Sequence, residues 1–374
     1  MASSAPHRVL VLSAPVGEGH VAAARALAAR MRARWPDTHV REVESTGGAG
    51  RDRLLAAAWA TVMRHAPALY GIGYDALVGA PWFARLCKSV AGRRLARTLD
   101  PLLRAERPDL VVSTYPMTTG GLARLRGRGR LDAYTVAVVT DVAVHPFWVW
   151  ADVDETWTLL ESSRRQAVAT ERGADVRVAA PAVGPDVHRR DRAAARRATG
   201  LDPDAFLVLL SGGSLAFGGL ETLADAVLDA GDGVGAVVLC GRDERLRTRL
   251  AARGQGRLRA LGWTDRVPEL LSAVDLTLTT AGGMIATESL AAGTPVLFAA
   301  PVPGHGRAGA RMTAEAGLAL VCGTTDEVAA AVRLLRDDRD TRAALAGAAA
   351  EFAARDPDAE LDALAGRIAL RRTG

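Results

Sequence analysis

A chain of 374 residues exceeds the roughly 250 to 300 at which a single core stops growing, and its 49% apolar content is ample for two cores. Lys and Arg outnumber Asp and Glu by 47 to 42, a net charge of +5. The basic residues come without aromatic platforms or a reader motif, which argues against a nucleic-acid partner, whereas the charge suits a surface that meets anionic lipid.

The opening MASSAPHRVLVLSAP holds too few apolar residues for a signal-peptide core, and no later apolar run is long enough and free of charge to span a membrane. Short apolar runs then alternate with alanine-rich amphipathic stretches, the pattern of parallel strands joined by crossover helices. The first series is a strand RVLVLSAP (8–15), a helix over 19–34, a strand THVREVE (38–44) and a long helical region ending at Leu103. The strands DLVVSTYP (109–116), TVAVVTD (135–141) and ETWTLL (155–160) complete it. Within the helical region, residues 54–97 carry Trp59, Tyr70, Tyr74, Trp82 and Phe83 beside Arg85, Lys88, Arg93, Arg94 and Arg97. Aromatics at headgroup level with cations on phosphate make an interfacial element, and a hairpin packing its aromatics inward has the same pattern.

The segment 181–205, rich in Pro, Gly, Arg and Asp, reads as an interdomain connection. Beyond it come FLVLLSGGS (206–214), a helix after Gly219, GAVVLCG (235–241), LRALGW (258–263), DLTLTTAGG (275–283), a helix over 285–292, PVLFAAPV (295–302) and LALVCG (318–323). The expected class is α/β, with two Rossmann-like domains, 1–180 and 181–351, and a last helix over about 352–374 that packs back on the first. Cys87, Cys240 and Cys322 lie far apart in apolar surroundings without metal-ligand spacing, so reduced core thiols and a cytosolic setting are expected.

The stretch 279–306, TTAGGMIATESLAAGTPVLFAAPVPGHG, carries the most chemistry. Gly282 and Gly283 let backbone N–H groups approach a diphosphate at a helix N-terminus, where the dipole favours anions. Glu288, about one turn on, is placed to accept both hydroxyls of a ribose. An ordinary βαβ segment with a solvated Glu has the same outline. SGGSLAFGG (211–219) likewise follows an apolar strand and precedes a helix, so Gly212, Gly213 and Ser214 can cradle the diphosphate from another side.

Six motifs occur in one order: VLVLSAPVGEGHVAAARAL, VVTDVAVHPFWVWADVDETW, LLSGGSLAFGG, VVLCGRDERLRTRL, LGWTDRVPELLSAVDLTLTTAGGMIATESLAAGTPVLF and PVPGHG. Together they resemble the monogalactosyldiacylglycerol synthase and processive diacylglycerol glycosyltransferase family, itself related to the peptidoglycan enzyme that adds GlcNAc to a lipid-linked precursor. The resemblance implies a GT-B fold, two Rossmann-like domains facing a central cleft. It also implies transfer of a hexose from a UDP-sugar to diacylglycerol or a glycolipid, with inversion, without a metal and without any cofactor beyond the nucleotide-sugar co-substrate. Such a protein is cytoplasmic and peripheral on the inner face of the cell membrane, with an anionic membrane surface and a lipid acceptor as partners. Oligomeric state is left open.

Carried onto this chain, the resemblance makes His20, behind Gly19, a general base, since a neutral imidazole can take the proton of an attacking hydroxyl. Asp141 is expected to orient His20 or the acceptor hydroxyl, with His145 and Trp148 on the acceptor side and Trp148 as a flat apolar wall. Arg242, Trp263 and Thr264 are expected to flank the base, and Met284, Gly304 and His305 to meet the donor. The chain departs from the family at Glu18, inside the first glycine turn, and at His305, Gly306 and Ala310, where Gln, Glu and Asn are usual. That departure opens the sugar preference and admits a natural-product or lipid-linked acceptor. A UDP-sugar 2-epimerase shares the architecture, and a non-catalytic lipid-binding relative is a further alternative.

Overall fold

The computed structural model describes residues 5–14, 18–44, 49–253 and 256–373, without the side chains of 49–53, 55, 56, 64, 372 and 373. The first residues of the N-terminal segment and positions 15–17 of the first glycine turn therefore lie outside the described residues, as does part of the 54–97 surface. The chain divides into two compact units, residues 1–185 with 355–374, and residues 186–354.

The first unit runs β1 (Arg8–Ser13), α1 (Glu18–Arg34), β2 (His39–Glu44), α2 (Ala49–His65), α3 (Pro67–Gly79), α4 (Pro81–Glu106), β3 (Leu110–Ser113), α5 (Pro116–Arg126) and β4 (Tyr134–Val138). A 3-10 turn (Pro146–Trp148), β5 (Glu155–Thr158), α6 (Glu161–Thr170) and β6 (Val176–Val178) follow. The second unit runs α7 (Arg192–Thr199), β7 (Phe206–Ser211), α8 (Leu220–Leu228), β8 (Val234–Leu239), α9 (Glu244–Arg253), β9 (Leu258–Leu261) and α10 (Val267–Ala273). It continues through β10 (Leu276–Thr279), α11 (Met284–Ala291), β11 (Val296–Ala299), α12 (His305–Glu315), β12 (Ala319–Cys322), α13 (Thr325–Asp337) and α14 (Arg339–Ala353). The last helix, α15 (Pro357–Thr373), returns to the first unit.

Each unit holds a wholly parallel six-stranded sheet, ordered β2-β1-β3-β4-β5-β6 in the first and β12-β11-β10-β7-β8-β9 in the second. Helices cover both faces of such sheets, which is why β3, β7, β8 and β10 are buried at every position, the threonines of β10 included. The order reverses between β1 and β3 in one unit and between β7 and β10 in the other. At such a reversal the connections leave toward opposite faces, and a crevice opens beyond the carboxyl ends of the two strands.

Two buried carboxylates lock the connections. Glu155 on β5 is fully buried and accepts from Tyr134 Oη at 2.6 Å, Trp157 Nε1 at 2.8 Å and Arg367 Nη2 of α15 at 3.0 Å, with a second Arg367 bond through Nε. Arg371 adds a bond to Asp154 at 3.0 Å. The tail is thus held by ion pairs as well as by Leu361, Leu364 and Ile368 in the core. Replacing Arg367 by alanine leaves the buried Glu155 charge with neutral donors and the Arg177 cation, whose Nε lies 3.5 Å from Oε2. Unit 1 is expected to lose about 3 kcal/mol, the lower end for breaking a buried pair. Urea unfolding measures it, and a loss below about 0.5 kcal/mol would show that the apolar contacts hold α15 by themselves.

The second lock corrects the reading of 181–205 as a connection. Its middle is α7, begun by an Asp191 cap on Ala194 N at 2.7 Å and ended at Gly200 in the left-handed region (φ 65°). Arg196 is buried and donates to Asp275 Oδ2 at 2.6 Å and Ala273 O at 2.9 Å, while Arg192 takes Asp275 Oδ1 at 2.6 Å. Its arginines, which look solvated in the sequence, clamp the helix to the start of β10.

Candidate functional site

In unit 1 the residues of interest gather beyond the carboxyl ends of β1, β3 and β4, at the order reversal. His20 lies in the first turn of α1. Thr114, just past β3, donates its hydroxyl to the His20 carbonyl at 2.8 Å. Thr140, just past β4, lies with Oγ1 3.2 Å from His20 Nδ1. The Tyr115 ring meets the imidazole edge-on at 5.2 Å, and Trp148 lies 5.9 Å away on a tilted approach. Backbone and ring are therefore both held.

The 141–148 loop is tied down by α6, through Ser163 Oγ to Val142 O at 2.6 Å and Val144 N to Gln166 Oε1 at 2.8 Å. His145 accepts from Phe147 N at its Nδ1 (3.2 Å), so in the neutral ring the proton sits on Nε2. Its ring stacks on Phe147 at 5.1 Å and meets Tyr74 at 5.3 Å. Asp141, which opens this loop, is partly buried. Burial first, then the charge of Asp141, pushes the Tyr70 hydroxyl above its usual range, which brings α3 to the same site. Trp148 needs a correction: it is only 2% exposed, packed among Val139, Val144 and Val149, so it backs the cluster and presents no open wall.

The 54–97 segment is corrected in the same way. Tyr74 is buried, Phe83 is partly so, and Lys88 is buried with Nζ 2.7 Å from Val149 O, 3.3 Å from Glu171 and over the Trp150 ring. Lys88 is not available to a phosphate. The outward face is apolar, with one aromatic residue, Trp82: Leu69, Ile72 and Val78 lie on α3, and Trp82, Leu86 and Val90 on α4. On α4 these recur every four residues and lead into the exposed Arg93, Arg94 and Arg97, one stripe that is apolar at its start and basic at its end.

In unit 2 the loops after β7, β10 and β11 converge on one buried residue, Thr280. Its N–H donates to Ser211 O at 3.3 Å, its hydroxyl to Phe217 O at 2.7 Å, and its carbonyl accepts from Val302 N at 3.0 Å. The 212–219 loop closes on itself through Phe217 N to Gly212 O at 3.0 Å. A side chain at Gly212 would sit 2.1 Å from that Phe217 carbonyl, so only glycine fits. Gly213 N bonds to Ser211 Oγ, and Ser214 O accepts from Arg242 N at 3.4 Å.

Both following helices begin at a glycine in a conformation reserved for glycine, Gly283 (φ 60°, ψ −138°) before α11 and Gly304 (φ 76°, ψ −126°) before α12, and neither start carries a side-chain cap. Gly282 precedes the first of these at φ 68°, and Met284 and His305 are the opening residues. Glu288, partly buried in α11, has its carboxyl pushed up to about 7, mainly by burial and then by Asp186. At the rim, the Arg242 guanidinium lies 4.6 Å over the Trp263 ring, which is 56% exposed, and Thr264 Oγ1 accepts from Arg266 N at 3.1 Å. Among the described residues no three His, Cys, Asp or Glu side chains gather closely enough to hold a metal ion.

Thr114, Tyr115, Thr140 and Thr280 are the members that sequence reasoning missed, while Tyr70 and Tyr74 are expected from it only as part of an interfacial element. The available signal was a hydroxyl residue directly after an apolar strand, as in VVST, VVT and LTLTT.

Residues 20–177 match the family model described as monogalactosyldiacylglycerol (MGDG) synthase. The processive diacylglycerol beta-glucosyltransferase of Bacillus subtilis (strain 168) is 29% identical over 261 residues, 66% of this chain and 65% of that protein, so the match spans just under two thirds of the relative. The enzyme of the same name from Bacillus cereus (strain 03BB102) is 24% identical over 88% of this chain and 86% of its own. Among solved structures, Anabaena HepE in complex with UDP-glucose superposes with a TM-score of 0.58 at 14% identity, covering 96% of this chain and 98% of that one. The fold is GT-B, and by sequence the chain resembles the monogalactosyldiacylglycerol synthase and processive diacylglycerol glycosyltransferase family.

Proposed function

We propose that the protein is a glycosyltransferase that moves a hexose from a UDP-sugar to diacylglycerol or a related lipid, with inversion and without a metal. The observation that carries this reading is the chemistry at the two order reversals. A held histidine stands at one, and glycine-started helices with the partly buried Glu288 carboxyl stand at the other. The names of the relatives supply the donor and acceptor classes. Unit 2 binds the nucleotide sugar: uncapped N–H groups at the starts of α11 and α12 take the diphosphate, and Glu288 takes the ribose. His20 removes the acceptor hydroxyl proton as that oxygen attacks the anomeric carbon. The bond to the diphosphate breaks on the opposite face, and the helix N-termini receive the charge that develops on the leaving oxygen. His305 and Gly306, at the start of α12, make this chain's sugar preference its own.

Incubation with a panel of nucleotide sugars, scoring nucleotide diphosphate release with and without dioleoylglycerol vesicles, tests the reading. Lipid-dependent UDP release supports it; free 2-epimerised sugar nucleotide, or binding with no turnover, replaces it with the epimerase or the non-catalytic reading.

The acceptor reaches the protein at the inner membrane face, with the α3–α4 stripe in the lipid and the protein otherwise in the cytoplasm. No helix among the described residues is long and apolar enough to cross a membrane. Each basic group close to an anionic surface contributes about 1 kcal/mol, screened within a Debye length. Replacing Arg93, Arg94 and Arg97 by alanine is therefore expected to weaken sedimentation with phosphatidylglycerol vesicles at least tenfold and to lower activity on membrane-presented acceptor but not on a short-chain soluble one. Equal loss on both acceptors would remove the membrane role and favour a soluble acceptor.

A further inference from the structure

We infer that Thr140 is the positioning residue for His20: its hydroxyl accepts from Nδ1–H and so fixes the tautomer in which Nε2 takes the acceptor's proton. The inference rests on the reading of His20 as the base and adds the group that makes the base competent.

A neutral imidazole carries one N–H. For Nε2 to receive a proton, the hydrogen must sit on Nδ1 and needs an acceptor there. The structure places Thr140 Oγ1 3.2 Å from Nδ1, on a side chain only 6% exposed at the end of β4. The rest of the residue is already fixed. Thr114 holds the carbonyl from the end of β3, and Tyr115 and Trp148 flank the ring, so what the Thr140 bond adds is the sense of the ring and the site of its proton. Both threonines follow neighbouring strands of one sheet, Thr114 one residue past β3 and Thr140 two past β4, and those strands are paired from Leu110 and Tyr134 to Ser113 and Ala137. The two grips are thus carried on short extensions of paired strands, rigid elements that position a site better than free loops do. A hydroxyl in this place orients the ring without lending it a full negative charge, so the imidazolium formed in the transition state is left able to give its proton up again.

Two independent readouts test the inference. In protein labelled with 15N-histidine, the His20 signal, identified by its loss in His20→Ala, is expected to report the Nδ1–H tautomer, and Thr140→Val is expected to shift it toward Nε2–H. An Nε2–H tautomer in the unaltered protein overturns the proposal. In UDP release from UDP-glucose with dioleoylglycerol vesicles, Thr140→Val is expected to lower kcat by about 10- to 100-fold, a share of what a positioned base contributes, with UDP binding within twofold. Thr140→Ser is expected to recover to within about threefold. Adding Thr140→Val to His20→Ala should cost nothing more, since the two residues act as one unit. Unaltered kcat in Thr140→Val, or a Thr140→Ser protein that melts normally yet is as slow as the valine variant, overturns it. Failure of the base reading looks different: His20→Ala then turns over normally while the tautomer assignment still stands.

Discussion

Replacing His20 by alanine is expected to lower turnover by about 10²-fold or more while leaving UDP-sugar affinity within a few-fold. A general base acts only as the proton moves, so its removal raises the barrier and spares the ground-state complex. The geometry sharpens this expectation. His20 belongs to unit 1, whereas the glycine-started helices and Glu288 belong to unit 2, so the substitution leaves the elements assigned to the donor intact. The ring is gripped by Thr140, Tyr115 and Trp148, and alanine leaves a space beside a buried indole; a melting curve on the same preparation separates lost chemistry from lost packing. Near-normal turnover in a folded variant would make His20 a structural residue.

Glu288→Ala should weaken UDP-sugar binding by more than tenfold, because charge-assisted hydrogen bonds to two hydroxyls contribute about 1.5–3 kcal/mol. Burial, with Asp186 second, holds the carboxyl at about 7 against an ordinary 4.5. Between these values the native chain binds a proton that the unfolded chain does not. This contribution to stability is full below pH 4.5 and is lost as the pH rises through about 7. Ribose hydroxyls donate to the charged form, so nucleotide binding pulls the value down and releases a proton. Calorimetry of UDP binding at pH 6.5 in buffers of different ionisation enthalpy is expected to show that release, and Glu288→Gln to abolish it. Unchanged affinity in the alanine variant would take the ribose away from Glu288.

How far the site was legible depended on whether a residue acts through its backbone or through distant neighbours. Gly212, Gly283 and Gly304 stand out in sequence because each answers a local demand: a carbonyl 2.1 Å from where a side chain would be, or a backbone conformation closed to other residues. His20 stands out because it opens a helix directly after a buried strand. Thr280 does not, since its value lies in joining three loops that are far apart in the chain. The same limit explains the surface readings. Composition groups Tyr74, Phe83 and Lys88 with Trp82 and Arg93, but on a helix the residues three and four apart share a face. α3 and α4 turn Tyr74 and Lys88 inward to His145 and Val149 while leaving Leu69, Ile72, Leu86 and Val90 outside.

By itself the sequence determined two parallel α/β sheets and the strand ends at which ligand chemistry gathers. Short apolar runs alternating with amphipathic helical stretches are satisfied by parallel strands covered on both faces. Only the tertiary structure decided strand order, and with it the reversals at β1/β3 and β7/β10 that bring His20 to Thr114 and Thr140, and Gly212 to Thr280. The polar residues of β2 and β9 fit edge positions, but the inner runs are similarly apolar, so nothing local records which of them lies beside which. That is settled by the crossover helices and by ion pairs such as Glu155 with Arg367 and Asp275 with Arg196, whose partners lie 212 and 79 residues apart in the chain.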